Sequence, residues 1–418
     1  MQMRLKGSTL SGKISSIPSK SDAHRCFICS ALADKSSRLF LPQSSDDIDA
    51  TIECLRALGS EIENSGYMYS VSPISSPAVS PLLDCGESGS TLRFLLPVAA
   101  AVANGSAFIG RGRLPKRPLA ELVHVLELHS VSFSSSVLPF TISGNPTGGI
   151  YRIPGNISSQ YITGLLLMLP MLDGKSCIEL TSPLESSGYV DITLRRMKKF
   201  GVEIQTLENG YLCQAGQRYI SPGTIEIEGD WSGASFFLAA GAICGNVTVT
   251  GLDPYSPQSD KAILDILKCF GADVSWQGDA VTVKKGFLTG TEVNMSEIPD
   301  LLPVLAVVGA AATGKTVLYG AGRTRLKESD RLSAVCNLLC CLGSSCTEEK
   351  DALVIDGGAP LHGGMVAGCG DHRIVMAASI ASLLCRDGLT IDGAEAITKS
   401  YPTFFNDFRI LGGNADVI

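Results

Sequence analysis

The apolar and polar positions of this chain repeat at intervals of about 70 residues. In each copy an amphipathic helix pattern ends at a glycine, and an extended segment follows, as in LRALGSEIE and MKKFGVEIQ. A glycine is typical of this place because it adopts a left-handed backbone conformation without a steric penalty. Six copies of one unit are the simplest account of the pattern. The copies end at Gly59, His129 in a degenerate copy, Gly201, Gly271, Gly343 and Gly412.

A second helix pattern has the same period and is apolar on all sides, as in FFLAAGAIC and LLPVLAVVGAA. A helix without a polar face is buried. Each copy therefore predicts the order β-α-β-α-β-β, with one buried helix in each repeat. Three such helices can pack together and be surrounded by sheets, which predicts an inside-out α/β arrangement.

One repeat cannot bury its own apolar face, so we expect the six repeats to form two pseudo-threefold domains. Residues 14–226 would form the domain with repeats one to three. Residues 1–13 and 227–418 would form the domain with repeats four to six. The polar, glycine-containing segment from Ser221 to Gly229 is the best candidate for a crossover.

The stretch from Gly309 to Thr316 reads GAAATGKT and fits the phosphate-loop pattern G-x-x-x-x-G-K-[ST]. That pattern binds a nucleotide only when a strand precedes the loop and a helix follows it. Here an apolar helix pattern precedes the loop and the strand-like TVLYG follows. We therefore interpret Gly314 as the residue after a helix end and Lys315 as a cation beside the negative end of that helix.

The composition agrees with a soluble globular protein: 45% of the residues are apolar and 18% are charged. The net charge of −7 argues against a nucleic-acid partner, whose binding needs a basic face. The longest uncharged apolar run, residues 301–314, is shorter than the roughly 20 residues of a membrane helix, and the first residues lack the apolar core of a signal peptide. We expect a cytoplasmic chain that has no membrane partner.

The chain has 14 cysteines, many of them inside apolar runs such as CFICSAL. A free cysteine behaves there as a small apolar side chain, which favours a reducing compartment over disulfides. Cys26 and Cys29 form a C-x-x-C pair, but no second pair stands at zinc spacing. We interpret them as core residues and expect no metal.

The buried helices begin with polar residues, several of them cationic. A helix N-terminus already carries partial positive charge, so cations there indicate an anion site rather than ordinary capping. Two acidic residues also stand out, because a carboxylate beside cations can take and return protons when its pKa is tuned by them. These are Asp300, at the start of a buried helix, and Glu328, next to Lys327. The cations and polar caps are Lys20, Ser21, Arg25, Arg93, Ser158, Ser159, Gln160, His372 and Arg373, with Arg113, Lys116, Arg117, Arg323, Arg325, Lys327, Arg331 and Lys399 in other motifs.

These residues stand in a chain that resembles the enolpyruvyl transferases of the 5-enolpyruvylshikimate-3-phosphate synthase (3-phosphoshikimate 1-carboxyvinyltransferase) family. The resemblance runs from about Lys6 to Phe408. The motifs stand in the family's order: PSKSDAHR, SGSTLRF, RLPKRP, SSQYITGLL, SSGYVDITL, LKESDRL, GDHRIVMA and TKSYPTFF.

The resemblance implies a two-domain inside-out α/β barrel that closes over shikimate 3-phosphate and phosphoenolpyruvate. The carboxyvinyl group of phosphoenolpyruvate would pass to the 5-hydroxyl of shikimate 3-phosphate in aromatic amino-acid (chorismate) biosynthesis, and inorganic phosphate would leave. No cofactor and no metal are implied, and we expect a monomer.

The resemblance also implies the site residues. Asp300, Glu328 and Lys20 would be catalytic: Asp300 would take the hydroxyl proton, and Glu328 and Lys20 would deliver a proton to the methylene carbon. Shikimate 3-phosphate would bind to Lys20, Ser21, Arg25, Ser158, Ser159, Gln160, Ser186, Tyr189, Asp300 and Lys327. Phosphoenolpyruvate would bind to Lys20, Gly89, Arg117, Gln160, Arg331, Arg373 and Lys399.

Three residues depart from the family pattern. Glu87 stands where asparagine is common, and an acid there opposes an anionic ligand unless it is paired or turned away. Ser90 and Phe94 replace a frequent threonine and proline. Sensitivity to the inhibitor glyphosate therefore does not follow from the sequence, although Gly89 leaves room for it.

Two other functions remain open from the sequence. A sister transferase acting on UDP-N-acetylglucosamine shares the repeat, but it typically has Lys-Asn where this chain has Lys20-Ser21, and often a reactive cysteine near RLPKRP. No cysteine lies between Cys85 and Cys177. A non-catalytic phosphate-ligand binding protein of the same fold would have lost its acid and base residues, which are present here.

Overall fold

The computed structural model describes all residues from Met1 to Ile418. The helices are α1 (Lys20–Ala31), α2 (Asp46–Ala57), α3 (Gly89–Val102), α4 (Ala120–Glu127), α5 (Ser159–Met168), α6 (Ser187–Lys199), α7 (Trp231–Cys244), α8 (Ile263–Phe270), α9 (Leu302–Ala311), α10 (Arg331–Cys341), α11 (His372–Ala381) and α12 (Phe404–Ile410). Short 3-10 helices span Leu114–Lys116, Leu169–Met171, Ser259–Ala262, Pro299–Leu301, Gly322–Leu326, Ser382–Leu384 and Ala394–Lys399.

The strands are β1 (Gln2–Lys6), β2 (Ser11–Ser15), β3 (Ser37–Phe40), β4 (Ile62–Ser65), β5 (Met68–Val71), β6 (Leu82–Asp84), β7 (Ser106–Ile109), β8 (Ser132–Phe133), β9 (Phe140–Ser143), β10 (Ile150–Ile153), β11 (Ser176–Leu180), β12 (Ile204–Leu207), β13 (Gly210–Cys213), β14 (Thr224–Glu226), β15 (Asn246–Thr250), β16 (Asp273–Gln277), β17 (Ala280–Lys284), β18 (Glu292–Asn294), β19 (Gly314–Tyr319), β20 (Ser345–Glu348), β21 (Ala352–Gly357), β22 (Gly364–Ala367), β23 (Leu389–Asp392) and β24 (Asn414–Val417).

These strands form six four-stranded sheets of one design. In the sheet β6-β7-β9-β8 the first two strands run parallel and the other pairs run antiparallel. The register places Leu82 opposite Ala107 and Ser106 opposite Ile142. The other sheets, β14-β3-β5-β4, β10-β11-β13-β12, β16-β17-β15-β2, β18-β19-β21-β20 and β22-β23-β1-β24, have the same order within the repeat. The predicted α/β fold of six β-α-β-α-β-β repeats is confirmed.

Two first strands are exchanged between repeats. Strand β2, which precedes α1, lies parallel to β15 of the fourth repeat. Strand β14, which precedes α7, lies parallel to β3 of the first repeat. Strand β1 completes the sixth sheet between β23 and β24.

The chain divides into two compact units. Unit 1 comprises Met1–Ile17 and Glu228–Ile418, and unit 2 comprises Pro18–Ile227. Residues 14–17, assigned by the sequence to the domain of repeats one to three, belong to unit 1, and residue 227, assigned to the other domain, belongs to unit 2. Residues 14 and 15 pair within β2. The reason is the strand exchange, because the chain leaves unit 1 only after β2 is complete.

Each unit has its own apolar core with three buried helices: α7, α9 and α11 in unit 1, and α1, α3 and α5 in unit 2. Burial of one Leu, Val or Phe side chain contributes about 1.5–3 kcal/mol, so these helices dominate the stability of each unit. Gly164 sets the spacing of α5 and α3, since a Cβ at this position would lie 2.1 Å from the carbonyl oxygen of Arg93.

The glycine turns follow the prediction with one difference. Gly59, Gly201, Gly271, Gly343 and Gly412 have positive φ angles. In the degenerate copy the left-handed residue is Ser130, at φ 72°, and not His129. The amide of Val131 bonds to the carbonyl of Leu126 there, as the amide of Ser60 bonds to that of Leu55 after α2.

The GAAATGKT stretch runs from helix to strand, as predicted, so no phosphate loop is formed. Helix α9 ends at Ala311 with Ala312 as its C-cap, and Gly314 is the first residue of β19. Lys315 therefore lies on a strand opposite Asp356, not beside the helix end.

The cysteines are free, and Cys26 and Cys29 are buried in α1. Burial raises the pKa of both thiols, which keeps them protonated. They are core residues, as interpreted from the sequence. No helix of the chain combines the length and the apolar character that crossing a membrane requires.

Candidate active site

Five of the six buried helices begin at a Ser or Asp whose side chain accepts a hydrogen bond from a first-turn amide. These caps fix where each helix begins and hence where its first side chains lie. The sixth helix, α9, is preceded instead by the 3-10 helix that carries Asp300. The caps are Ser19, Ser88, Ser158, Asp230 and Asp371.

Lys20 is the first residue of α1 in unit 2. Its ammonium Nζ lies 2.7 Å from Oδ2 of Asp47, and the two side chains are 15% and 11% exposed. This largely buried ion pair holds the lysine side chain in one place. The predicted Lys20 is thus positioned before any ligand binds.

Arg25 lies one turn further along α1 and is buried. Nε donates to Thr193 Oγ1 at 2.7 Å, and NH2 donates to the carbonyl of Tyr189 at 2.7 Å. NH1 donates to the carbonyl of Ser21. Burial lowers the pKa of Arg25 to about 10, so it is still charged at neutral pH. The guanidinium therefore joins α1 to α6 and brings together three predicted residues, Ser21, Arg25 and Tyr189.

Gly89 begins α3 under two guanidinium groups. A Cβ at Gly89 would lie 2.5 Å from NH1 of Arg93 and 2.6 Å from NH1 of Arg117. Arg93 NH1 also donates to Oε1 of Gln160 at 3.1 Å, and the Gln160 amide donates to Ser90 Oγ at 3.0 Å. The structure thus gathers the predicted Gly89, Arg117 and Gln160 in one cationic cluster.

The remaining predicted residues of unit 2 lie at helix starts. Ser158 caps α5 and accepts from the amide of Gln160 at 3.3 Å, and Ser159 is the first residue of that helix. Ser186 precedes α6 in a left-handed conformation, with φ 58° and ψ 47°. Such a conformation is rare for serine and costs energy, which marks Ser186 as a functional candidate.

The three departures from the family pattern lie near these groups. The Phe94 ring faces the guanidinium of Arg25, with the Arg25 carbon Cζ 4.8 Å from the ring centroid. Ser90 accepts a hydrogen bond from Gln160. The Glu87 carboxylate lies against Gly112, where a Cβ would be 2.2 Å from Oε2.

In unit 1, Asp300 is surrounded by cations. Oδ1 lies 2.7 Å from Arg331 NH1 and 3.5 Å from Lys327 Nζ. Oδ2 lies 2.9 Å from Arg373 NH2, and the side chain of Asp300 is 14% exposed. Because three cations surround this one carboxylate, an anionic ligand that binds here can pair with the same cations. Four residues predicted from the sequence meet here.

Arg331 is the centre of a buried ion-pair network. Besides Asp300, its Nε lies 2.8 Å from Asp371 Oδ2 and its NH2 lies 2.7 Å from Glu328 Oε2. Burial would lower the pKa of Arg331, but Asp371, Glu328 and Asp300 together raise it well above its usual value. Burial would likewise raise the pKa of Asp371, but Arg331 holds it below the usual range. Arg331 is thus permanently charged, and the network fixes Glu328 and Asp300 beside it.

Lys399 and His372 complete the predicted set. Lys399 ends a 3-10 helix and donates from Nζ to the carbonyl of Gly370 at 2.6 Å, which brings it to the start of α11. His372, the first residue of α11, is buried beside Asp371, with its Nδ1 3.9 Å from Oδ1.

Two buried groups in unit 2 had no sequence signal. Asp22 of α1 pairs with Arg196 of α6, and both are buried. Since 174 residues separate them, no local pattern could reveal the pair.

The second group is a chain of hydroxyls that begins at His24. Its Nδ1 lies 2.7 Å from Thr51 Oγ1, which lies 2.7 Å from Thr91 Oγ1, which donates to the cap Ser88 at 2.7 Å. This chain joins α1 and α2 to the start of α3, next to Gly89. Its residues lie on α1, on α2 and at the start of α3, and only the fold brings these three helices together.

His24 makes the stability of the protein depend on pH. Burial, then Lys20 and Arg25, lower the pKa of His24 well below its usual value, and its Nε2 is buried without a hydrogen-bond partner. The unfolded chain therefore binds a proton near pH 6.5 that the folded chain does not. The free energy of unfolding should fall as the pH drops below about 6.5, by up to about 1.4 kcal/mol per pH unit.

Calorimetry between pH 5 and 8 would measure this loss. His24→Gln should flatten the pH dependence, whereas His124→Gln, at an exposed position on α4, should leave it unchanged. Parallel curves for the parent protein and His24→Gln would contradict the role of His24.

The two units differ in the chemistry that their geometry supports. Unit 2 collects Lys20, Arg93 and Arg117 at the starts of buried helices, which suits phosphate and carboxylate groups. Unit 1 holds two carboxylates, Asp300 and Glu328, against cations, which suits proton transfer next to an anion.

Comparison with known proteins identifies the family of the chain. The family EPSP synthase (3-phosphoshikimate 1-carboxyvinyltransferase) matches residues 5–408. A 3-phosphoshikimate 1-carboxyvinyltransferase of Clostridium novyi (strain NT) is 40% identical over 421 residues, covering 98% of this chain and 97% of the relative. The protein of that name from Methanocorpusculum labreanum is 37% identical over 419 residues, covering 99% of both chains.

The fold comparison also covers the whole chain. The solved structure of an EPSP synthase from Acinetobacter baumannii has a TM-score of 0.84 and 25% sequence identity, and it covers 100% of both chains. With the family match and the relatives above, these findings show that the chain belongs to the EPSP synthase (3-phosphoshikimate 1-carboxyvinyltransferase) family.

Proposed function

We propose that the chain transfers the carboxyvinyl group of phosphoenolpyruvate to the 5-hydroxyl of shikimate 3-phosphate and releases inorganic phosphate. The observation that carries this proposal is the family match over residues 5–408. Relatives that cover nearly the whole chain are named for this reaction. The UDP-N-acetylglucosamine transferase and the non-catalytic binder are not favoured. The chain is thus a transferase of aromatic amino-acid (chorismate) biosynthesis.

Shikimate 3-phosphate is assigned first to residues at the helix starts of unit 2. Arg25 binds the backbone carbonyls of Ser21 and Tyr189, and Ser186 has a left-handed conformation, so the backbone at these three residues is in place before the ligand arrives. Preorganised donors avoid an ordering cost when the ligand binds. The proposed set is Lys20, Ser21, Arg25, Ser158, Ser159, Gln160, Ser186, Tyr189, Asp300 and Lys327.

Phosphoenolpyruvate carries a carboxylate and a phosphate, and arginine guanidinium groups bind both in a bidentate manner. The cluster of Gly89, Arg93 and Arg117 and the network around Arg331 supply such groups. Arg93, which contacts Gln160, is an addition to the set from the sequence. The proposed set is therefore Arg93 together with the residues from the sequence, which are Lys20, Gly89, Arg117, Gln160, Arg331, Arg373 and Lys399.

In the proposed reaction the 5-hydroxyl oxygen bonds to C2 of phosphoenolpyruvate, and a proton adds to the methylene carbon. Asp300 takes the hydroxyl proton, and Glu328 and Lys20 are the candidates for delivering the proton to carbon. Loss of a proton from the new methyl group and departure of phosphate then leave the carboxyvinyl ether. The 2.7 Å contact of Arg331 NH2 with Glu328 Oε2 supports this, because it holds the acid in one position.

Phosphate release tests the reaction directly. Purified protein is given phosphoenolpyruvate with shikimate 3-phosphate in one sample and with UDP-N-acetylglucosamine in another. Release only in the first sample is expected. Release only in the second would move the chain to the sister family, and no release in either, with a ligand-raised Tm, would indicate a binder.

Gly89→Ala should raise the KM for phosphoenolpyruvate by roughly 10- to 100-fold, because the new Cβ displaces the guanidinium groups of Arg93 and Arg117. Steady-state kinetics at saturating shikimate 3-phosphate would measure it. Gly364→Ala, where a Cβ would meet nothing within 4 Å, is the matched control. An unchanged KM in Gly89→Ala would remove this glycine from the site.

Three further properties are part of the proposal. The two units are taken as domains of three repeats each, which supports the domain organisation expected from the sequence. A cytoplasmic location is supported by the free cysteines, several of them buried in the cores. A monomeric state is a prediction that size-exclusion chromatography with light scattering would test.

A further inference from the structure

Asp260 is a buried carboxylate with no role in the function proposed above. It lies in the 3-10 helix Ser259–Ala262 before α8, and it is 2% exposed. Oδ2 accepts a hydrogen bond from Ser232 Oγ on the first turn of α7. Oδ1 is buried and has no hydrogen-bond partner. A buried charge with an unsatisfied oxygen is costly, so its presence calls for a compensating interaction.

Two of the charged groups that act on Asp260, Asp300 and Arg373, belong to the proposed reaction site. Asp300, Arg373 and the α7 cap Asp230 act on its charge. The 3-10 helices that carry Asp260 and Asp300 both pack against α7. Lys261, the next residue, binds the carbonyls of Pro254 and Ser256 instead. Helix α7, whose first turn binds Asp260, also packs against α9 and α11, which follow Asp300 and carry Arg373. Asp260 is therefore a second buried carboxylate in the group of helices that holds the Asp300 and Arg373 ion pair.

We propose that Asp260 is a positioning residue of the reaction and acts through Asp300 and Arg373; this proposal rests on the function proposed above. Two carboxylates in one low-dielectric site disfavour each other's ionised form. A negative charge on Asp260 therefore makes Asp300 a better proton acceptor for the substrate hydroxyl. The same charge partly offsets Arg373 and limits how tightly that arginine holds Asp300.

The pKa of Asp260 sets the pH range in which its charge acts on Asp300. Burial, and next the charge of Asp300, raise the pKa of Asp260 to about 6. Asp260 is thus ionised at pH 7 and above and becomes neutral below about pH 6. The effect of Asp260 on Asp300 is therefore present at pH 7 and above and is lost below about pH 6.

Asp260→Asn tests the proposal, because it removes the charge and keeps the shape. The kcat at neutral pH should fall roughly 3- to 10-fold, since Asp300 becomes a weaker base. The acid limb of the kcat against pH profile should move to lower pH by about one unit. The KM for phosphoenolpyruvate should not rise and the Tm should not fall, because a buried charge has been removed.

Asp265→Asn is the matched control: it removes one carboxylate from α8, where the side chain is 84% exposed. Its pH profile should superimpose on that of the parent protein. If Asp260→Asn also superimposes, or if it loses kcat equally at every pH with a raised KM and a lowered Tm, Asp260 has no role through Asp300.

Ser232→Ala provides a second test that does not depend on the folding of Asp260→Asn. Loss of the hydroxyl donor makes Asp260 ionise at a higher pH. The variant should resemble Asp260→Asn near pH 6.5 and approach the parent rate near pH 8.5. A loss that is independent of pH would overturn the proposal.

The two proposals fail in different ways. If the parent protein releases no phosphate from either substrate pair, the proposed function itself is wrong. If the parent protein is active and both variants keep its pH profile, only the role of Asp260 is wrong.

Discussion

Asp300→Asn is expected to lower kcat by about 10²- to 10⁴-fold, the range that one general acid or base supplies. The amide keeps the size of the carboxyl group but cannot accept the hydroxyl proton. Because Arg331, Arg373 and Lys327 then lose a competing anion, the affinity for phosphoenolpyruvate should not weaken. Steady-state kinetics, with binding of both substrates by calorimetry, would separate the two effects.

Asp330→Asn is the matched control for this variant. Asp330 is also a carboxylate of unit 1 that binds an arginine, with Arg325 NH1 3.2 Å from Oδ2. It caps α10, and asparagine is an equally good cap. Its kcat should stay within about twofold of the parent, as expected of a surface substitution. Equal losses in both variants, or equal losses of affinity and turnover in Asp300→Asn, would contradict the role of Asp300.

Asp22→Ala is expected to lower the free energy of unfolding of unit 2 by about 3–5 kcal/mol, because it leaves the charge of Arg196 buried without its carboxylate. The variant should also raise the KM for shikimate 3-phosphate, since α1 carries Lys20 and Arg25. Differential scanning calorimetry would measure the stability, and phosphate release the kinetics.

Two comparisons isolate the pair. Glu179→Ala removes an exposed partner of Arg152 and should cost less than about 1 kcal/mol. The double variant Asp22→Leu with Arg196→Met should recover much of the loss, because apolar side chains of similar size can replace a buried ion pair. If Asp22→Ala is no less stable than Glu179→Ala, the pair does not stabilise unit 2.

The fold followed from the sequence where one pattern recurs. Apolar helices, glycine turns and capping residues such as Ser158 and Asp230 depend on neighbours a few residues away, so the chain displays them locally. The turn at Ser130 was missed because a serine gives no glycine signal, and its left-handed conformation depends on the hydrogen bond after α4.

The exchange of β2 and β14 could not be predicted. Parallel pairing of Thr224 with Arg38 or of Asn246 with Ser11 joins segments that are far apart in the chain. A short strand carries no mark of its distant partner. The polar, glycine-containing segment predicted the crossover between the units near residue 227. The crossover after residue 17 has no such segment to predict it.

The residues of the candidate site also fall into those that the sequence indicated and those that it did not. Most of the cations stood in motifs that carried the resemblance, and Asp300 stood out at the start of a buried helix. The structure gathers these residues within each unit as described. Asp22, Asp371 and Asp260 act through partners that lie far away in sequence. Whether a buried carboxylate faces an arginine or another carboxylate is decided only by packing.

The position of β1 bears on how the protein folds during synthesis. Residues 2–6 pair with β23 and β24, so strand β1 waits during synthesis for partners as far along the chain as residue 417. At about 5–20 residues per second, that wait is on the order of half a minute. The residues of unit 2 are contiguous and can fold while the ribosome is still translating. Unit 1 must keep β1 and β2 from mispairing until their partner strands have been translated, so slow-folding variants should map to unit 1.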